Sequence, residues 1–280
     1  MAESTLERTP VLSVRGLSKR FPDPSRRGAF TTAVDGVGFD VAAGESLAIV
    51  GESGSGKTTV ARMLMGLETP TGGEITVCGR VRDHRRPGRG ERRKRARELQ
   101  IVFQDPYSSL DPRRRVRTIV HDSLALRGVP AASRGAVVDD LLEAVGLLAR
   151  HGDLYPRQLS GGQRQRVAIA RALALDPKIL ILDEAVAALD VSVQAQVLNL
   201  LADLREERGL AYLFISHDLA VVNQISDRAI VLRNGRIVEE GPTPRLLADP
   251  QHAYTRQLRA AVPRPGWVPQ RRDQPVPAAR

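Results

Sequence analysis

The chain reads as an α/β fold with a largely parallel sheet, an antiparallel edge sheet and an inserted helical subdomain. Three observations predict it. Short apolar runs alternate with helical periodicities through the second half of the chain. A glycine-rich loop joins one such run near the start to a helix, and a proline-punctuated stretch of helical pattern interrupts the alternation. In order, Val11 to Val14 and Val34 to Val41 alternate like half-buried strands, and Ala43-Gly44 turns after them. Leu47 to Val50 is a short apolar strand ending at glycines, and Thr58 to Met65 reads as a helix. Glu74 to Val77 reads as a further edge strand after the turn Pro70 to Gly73, and Ile101 to Phe103 as another apolar strand. The middle carries helical patterns over Val116 to Leu126 and Val137 to Leu148, punctuated by Pro106, Pro112, Pro130 and Pro156. A helix over Gln163 to Leu175 follows a Gly-Gly pair. Then come strand Ile179 to Leu182, helix Val191 to Glu207, strand Ala211 to Ser216 and helix Leu219 to Ile225. Ala229 to Arg233 and Arg236 to Glu239 form a hairpin across Asn234-Gly235. The segment after Pro263, rich in Pro, Arg and Gln, is expected to be a mobile tail over residues 264–280.

A chain of 280 residues, 42% hydrophobic and 26% charged, can bury a substantial core and has an ordinary globular composition. No apolar run approaches the roughly 18 residues that span a bilayer. The polar opening, Met1 to Pro10, is unlike a secretory signal. Cys78 is the only cysteine, which excludes an internal disulfide and any all-cysteine metal site within this chain. These features point to the cytoplasm. The net charge of +10 comes from four lysines and thirty-eight arginines, densest over Arg82 to Arg97. Such a run is ordinarily a solvated face; an anionic membrane surface or nucleic acid are the functional alternatives. Aromatics are only 4% of the chain and none lies in the run, which speaks against single-strand stacking.

The chemistry begins at Gly51-Glu52-Ser53-Gly54-Ser55-Gly56-Lys57-Thr58, followed by Thr59, which has the pattern of a phosphate-binding loop. Its glycines let successive N–H groups turn inward on phosphate oxygens, and the next helix adds the positive end of its dipole. Lys57 can reach the β- and γ-phosphates and Thr58 can ligate Mg²⁺. In a chain that nearly always uses arginine, a lysine here is informative. Ile179 to Leu182 then delivers Asp183-Glu184 at the end of a strand, where ligands gather in open α/β sheets. Asp183 can hold the metal and Glu184 can polarise an attacking water. Leu159-Ser160-Gly161-Gly162-Gln163 opens a helix and forms a second anion site from a hydroxyl, glycine N–H groups and a helix N-terminus.

Together these motifs resemble the ATP-binding cassette family, with a P-loop NTPase (RecA-like) core. The resemblance implies that the Ser160 peptide meets the γ-phosphate held by the opposing domain of a head-to-tail dimer. By the same resemblance, Gln104 is the hinge glutamine joining metal and water to the helical subdomain, and His217 is the switch histidine at the γ-phosphate. Asp190, in Ala188-Leu189-Asp190, resembles the loop that in the family crosses the dimer seam. Phe21 stands where the family places an aromatic under adenine, although plain packing would also explain it.

The resemblance runs from about Leu12 to Pro263, with the helical subdomain near residues 105–170 and a family-type extension near 242–263. It is most specific to the ATPases of oligopeptide and dipeptide (peptide/nickel) importers, through Phe103 to Arg113, Asp190 to Gln196 and Pro250 to Thr255. It implies ATP and Mg²⁺ as ligands and a place on the cytoplasmic face of the membrane. The implied partners are a second, different ATPase chain, two transmembrane permease subunits and an extracytoplasmic substrate-binding protein, with no nucleic acid. Ala185 and Ala188 stand where the family commonly has proline and serine, and Asp111 where it has asparagine. The alternative is a soluble cassette ATPase that serves nucleic acid or a multienzyme complex.

Overall fold

The computed structural model describes residues 10–23, 25–26, 28–83, 88–105 and 109–260. The opening of the chain, Arg85 and Arg86 of the basic run, Pro106 to Ser108 and everything after Ala260, the expected tail included, lie outside them.

The first two strands are longer than their alternation suggests: β1 spans Pro10–Pro22 and β2 spans Phe30–Ala42. Their antiparallel register shifts between Val14 and Arg20, beside Gly16 (φ 59°) and Gly36 (φ 67°). Bulges of this kind break the two-residue period, so the apolar pattern stops while the pairing continues. β1 also pairs with β4 (Gly72–Val77), and β4 with the short β5 (Arg80–Val81), in the order β2-β1-β4-β5. Glu74 to Val77 is therefore not an edge. The tight turn at Cys78-Gly79, both at positive φ, folds β5 back over its free side.

The second sheet runs β10-β9-β3-β8-β7-β6, parallel except for β10. Its strands are β3 (Ser46–Val50), β6 (Leu99–Phe103), β7 (Ile179–Asp183), β8 (Ala211–Ser216), β9 (Arg228–Arg233) and β10 (Arg236–Pro242). Alternate side chains divide the core. Leu47, Ile49, Ile179, Ile181, Leu213 and Ile215 face the first sheet and helix α1 (Lys57–Leu64). Ala48, Val50, Leu180, Leu182 and Phe214 face the remaining helices. Both faces are covered, which is why these strands read as unbroken apolar runs. Each such Leu or Ile contributes roughly 1.5–3 kcal/mol by leaving water.

Helices α3 (Val116–Arg127), α4 (Arg134–Ala144) and α5 (Gly161–Leu173) share one continuous apolar cluster with α6 (Val191–Arg208) and α7 (Leu219–Ile225). The helix expected to reach Leu148 ends at Ala144. Gly146 takes φ 68° and donates to Glu143 O, while Leu147 N–H donates to Leu142 O, the paired bonds of a glycine-terminated helix. The basic run is not a uniform solvated face. Its second half is a helix, α2 (Arg89–Glu98), with no buried residue, but Arg82 before it is only 8% exposed and ion-paired to Glu98 at 2.6 Å. Burial, with Arg95 and Arg80 nearby, pulls the Arg82 guanidinium down to about 10. Two short helices, α8 (Thr243–Ala248) and α9 (Ala253–Ala260), end the described chain.

Candidate active site

Strand register assembles the site. Val50, at the end of β3, pairs with Ser216 on β8 and Val231 on β9, and Asp183 pairs with both Ile215 and Phe103. Gly51, Gln104, Glu184 and His217 therefore leave the sheet along one rim, at the carboxyl ends of its parallel strands.

The phosphate loop is shaped by its neighbours. A Cβ on Gly51 would stand 2.3 Å from Leu232 O, and one on Gly56 (φ 109°) would stand 2.5 Å from Ala33 O. Both obstacles are backbone in paired strands, so only glycine fits. Gly235 N–H donates to Ser55 O at 2.9 Å, tying the tip of the β9–β10 hairpin to the loop. Lys57, 5% exposed, curls back so that Nζ donates to Gly51 O at 2.7 Å and Glu52 O at 2.8 Å. Burial lowers its pKa, against the pull of Glu184, Asp183 and Glu52. Gly56 stands at the N-cap of helix α1 and offers no side-chain cap, leaving the N–H groups of Lys57, Thr58 and Thr59 without intrahelical acceptors. The Ser55 hydroxyl is buried and has no protein partner among the described residues. Unsatisfied N–H groups, a buried hydroxyl and a lysine at one helix N-terminus suit a polyphosphate.

The acids stand beside the loop. Thr58 Oγ1 lies 3.5 Å from Asp183 Oδ1. Asp183 is 6% exposed, and burial, reinforced by the Glu184 charge, raises its pKa against the opposing effects of Thr58 and Lys57. Glu184 takes φ 49°, a left-handed conformation that costs a residue with a side chain about 1–3 kcal/mol. Its N–H is fixed on Ile215 O at 2.9 Å, and its Oε1 lies 3.3 Å from Nδ1 of His217, which is 57% exposed. Gln104 is exposed one residue beyond β6, level with Glu184. Phe21 is half-buried on β1 opposite Thr31, with Lys19 Nζ 4.8 Å from its ring centroid; Ala33, two residues along β2, is the residue whose carbonyl faces Gly56.

The Ser160 peptide is assembled on other elements. Ser160 caps α5: its hydroxyl accepts from Gln163 N–H at 3.2 Å, and Gln163 Oε1 accepts from Ser160 N–H at 2.9 Å. Ser160 and Gly161 stay exposed, whereas Gly162 is buried where a Cβ would meet Val193 Cγ1 at 2.3 Å. Asp190 caps the neighbouring α6, accepting from Val193 N–H at 3.0 Å and the Ser192 hydroxyl at 2.7 Å. Those bonds, the Val193 N–H foremost, hold its carboxyl below the usual range. The structure thus packs the Ser160 peptide against the Asp190 segment, while the acids, Lys57 and His217 gather around the phosphate loop.

Two supporting residues escaped sequence reasoning. Arg164, buried, donates to Pro156 O at 2.9 Å and to Leu159 O, fastening the segment that leads into Ser160. Tyr254 Oη accepts from Glu52 N–H at 2.9 Å. The second lies in the Pro250 to Thr255 segment that carries the family resemblance, but its bond to Glu52 had no signal, because the partner is 202 residues away.

Comparison with known proteins gives the family. The ABC transporter family model matches residues 34–187. The chain is 49% identical over 266 residues to the glutathione import ATP-binding protein GsiA of Escherichia coli (strain K12), covering 93% of this chain and 42% of that protein. The same protein of Salmonella typhi is 49% identical over 268 residues, with the same coverage. The chain thus spans less than half the length of these relatives. Among solved structures, cbiO1 from Clostridium perfringens, part of the ABC transporter complex cbiONQ, superposes with a TM-score of 0.75 at 29% identity, covering 86% of this chain and 91% of that one. The ATP-binding cassette MJ0796, in a dimeric post-hydrolysis state bound to ADP and Pi, gives 0.73 at 28% identity, covering 83% and 98%. The loop, the paired acids, the second glycine peptide and these likenesses converge, and the chain belongs to the ABC transporter family.

Proposed function

We propose that this chain is the ATP-binding and hydrolysing subunit of an importer for peptides or similar small solutes. The observation that carries the reading is the cluster at the sheet rim: Thr58 within 3.5 Å of Asp183, and the neighbouring Glu184 within 3.3 Å of His217. Loop N–H groups from Ser53 to Thr59 and Lys57 hold the phosphates, and Phe21 stacks on adenine, worth about 1–3 kcal/mol by analogy with base stacking. Thr58, Asp183 and Gln104 would hold Mg²⁺, which supplies charge neutralisation to the β- and γ-phosphates. A threonine hydroxyl beside a buried carboxylate is a donor set that suits such a hard cation. Glu184 accepts a hydrogen bond from the attacking water and aims it, and His217 holds both Glu184 and the γ-phosphate.

A second cassette completes each site with its own Ser160-type peptide, across a seam lined by Asp190. The helical segment carrying that peptide acts as a subdomain that closes on the γ-phosphate. Among the described residues no helix is long and apolar enough to cross a membrane. Two permease subunits and an external binding protein supply the path and the cargo selection, with this chain at the cytoplasmic face. Support for import comes from the likeness to GsiA, a glutathione import ATP-binding protein.

The test is co-purification with a candidate partner ATPase and permease subunits, followed by trapping of nucleotide at each site. Ser160→Arg should silence the site whose phosphate loop belongs to the partner, and Lys57→Ala the other. A fully active homodimer that ignores both partner and permeases would overturn the reading.

A further inference from the structure

Helix α9 contributes no group to the phosphate-binding surface, yet it reaches the loop from behind. Tyr254, 2% exposed, accepts the N–H of Glu52, the second residue of the loop, at 2.9 Å. The Arg233 guanidinium lies 4.7 Å from the centroid of the same ring. Arg233 ends β9 and adjoins the turn whose Gly235 N–H holds Ser55 O. The approach to α9 is pinned in turn by Glu239 of β10, whose carboxylate accepts from Gln251 N–H at 2.8 Å and His252 N–H at 3.0 Å. His252 Nδ1 accepts from Tyr254 N–H at 3.1 Å. One unit, made of the hairpin and α9, thus grips the phosphate loop at Glu52 and at Ser55.

We propose that Tyr254 is a positioning residue whose hydroxyl holds the phosphate loop in its nucleotide-accepting shape, so that α9 sets nucleotide affinity. The inference rests on the reading of the loop as an ATP site. Packing of the ring and its contact with Arg233 require only an aromatic; the hydroxyl answers specifically to the Glu52 N–H. Without it, that partly buried N–H lacks its acceptor and turns toward water. Gly51 behind it is confined by Leu232 O and Gly56 ahead by Ala33 O, whereas Gly54 has open space on its Cβ side. Displacement at Glu52 therefore passes into Ser53 and Gly54, among the groups that meet phosphate. Nucleotide must then restore the shape on binding, and apparent affinity falls by the fraction of loops out of shape.

The experiment uses the full chain, titrated with MgATP and MgADP. Tyr254→Phe, which keeps the ring, should weaken both affinities about fivefold, the value of one hydrogen bond. The rate at saturating ATP should stay within about twofold of wild type, because no group of the reaction is touched. Amide exchange at Glu52 should quicken in the variant, while nucleotide-free thermal unfolding falls by no more than about 2–4 °C, the share of one hydrogen bond. Coupling is reciprocal, so MgATP should slow exchange across α9 in the unaltered chain. That readout holds even if the variant folds poorly. Unchanged affinity in a folded Tyr254→Phe chain, or α9 exchange indifferent to MgATP, overturns the proposal. A wild-type chain that binds no MgATP would instead overturn the ATP reading beneath it.

Discussion

Gly162→Ala tests how tightly the Ser160 peptide is seated. The added Cβ would fall 2.3 Å from Val193 Cγ1, with Val193 Cβ at 3.6 Å. Carbon atoms rest about 3.5–4.0 Å apart, so one partner must give by more than ~1 Å. Val193 is β-branched within α6 and stiff at χ1, which leaves separation of the starts of α5 and α6 as the outlet. Two effects oppose each other. Alanine gains up to ~1 kcal/mol of helix propensity over glycine, and overpacking costs about 1–3 kcal/mol. Overpacking wins, with a net loss of up to ~2 kcal/mol and a fall of about 2–4 °C per kcal/mol in a domain of this size. Because Ser160 and Gly161 ride on the start of α5, ATPase activity with the partner should fall as well. Adding Val193→Ala removes the obstacle, and the pair should show a favourable coupling of about 1–2 kcal/mol in a double-mutant cycle, with activity recovering. Thermal unfolding and steady-state ATPase of the four chains read both effects. Wild-type stability in Gly162→Ala, or strict additivity of the pair, would refute the packing argument.

Two further outcomes follow from the charges. Burial and the Glu184 charge raise the Asp183 pKa, so its folded value lies above the unfolded one. Its contribution to stability is present below the unfolded value of ~3.9 and is lost as pH rises through the folded pKa. Asp183→Asn should therefore unfold at a higher temperature than wild type without nucleotide at pH 7–8 (roughly neutral, well above ~3.9). The gap should close as pH falls toward ~4, while hydrolysis is lost at every pH; a less stable Asn variant at neutral pH contradicts this. Arg92 and Arg93 are exposed on α2, and replacing both with Gln should leave ATPase within about twofold, with no response to added DNA or RNA. Nucleic-acid stimulation that disappears in the variant and in high salt would instead favour the alternative of a nucleic-acid-serving ATPase.

Much of the architecture was legible because two physical signals are strong in this chain. Strands covered on both faces, such as Leu47 to Val50 and Ile179 to Leu182, must be apolar throughout, and they stand out. The phosphate loop and the Asp183-Glu184 pair follow from local chemistry, and the structure puts them on one rim. Longer-range geometry was not legible. The register shifts beside Gly16 and opposite Ala33 hid most of β1 and the first residues of β2, since a broken period looks like the end of a strand. Helix α2 buries nothing and shows no apolar stripe, so its arginines read only as charge. The left-handed Glu184 has no sequence signature, and neither do the Gly162–Val193 approach and the Tyr254–Glu52 bond, which depend on segments meeting in space.

The most direct test of the hydrolytic mechanism is single-turnover and steady-state hydrolysis by Glu184→Gln beside MgATP binding. Glutamine keeps the size of the side chain and a hydrogen bond to His217, but it cannot accept the proton of the attacking water. Loss of a general base predicts a rate lower by about 10²–10⁴. Binding should persist, because Lys57, Thr58 and the loop amides are untouched, and the variant should accumulate as an ATP-bound closed dimer with its partner cassette. Hydrolysis at the wild-type rate, or loss of nucleotide binding together with the rate, would contradict the role assigned to Glu184.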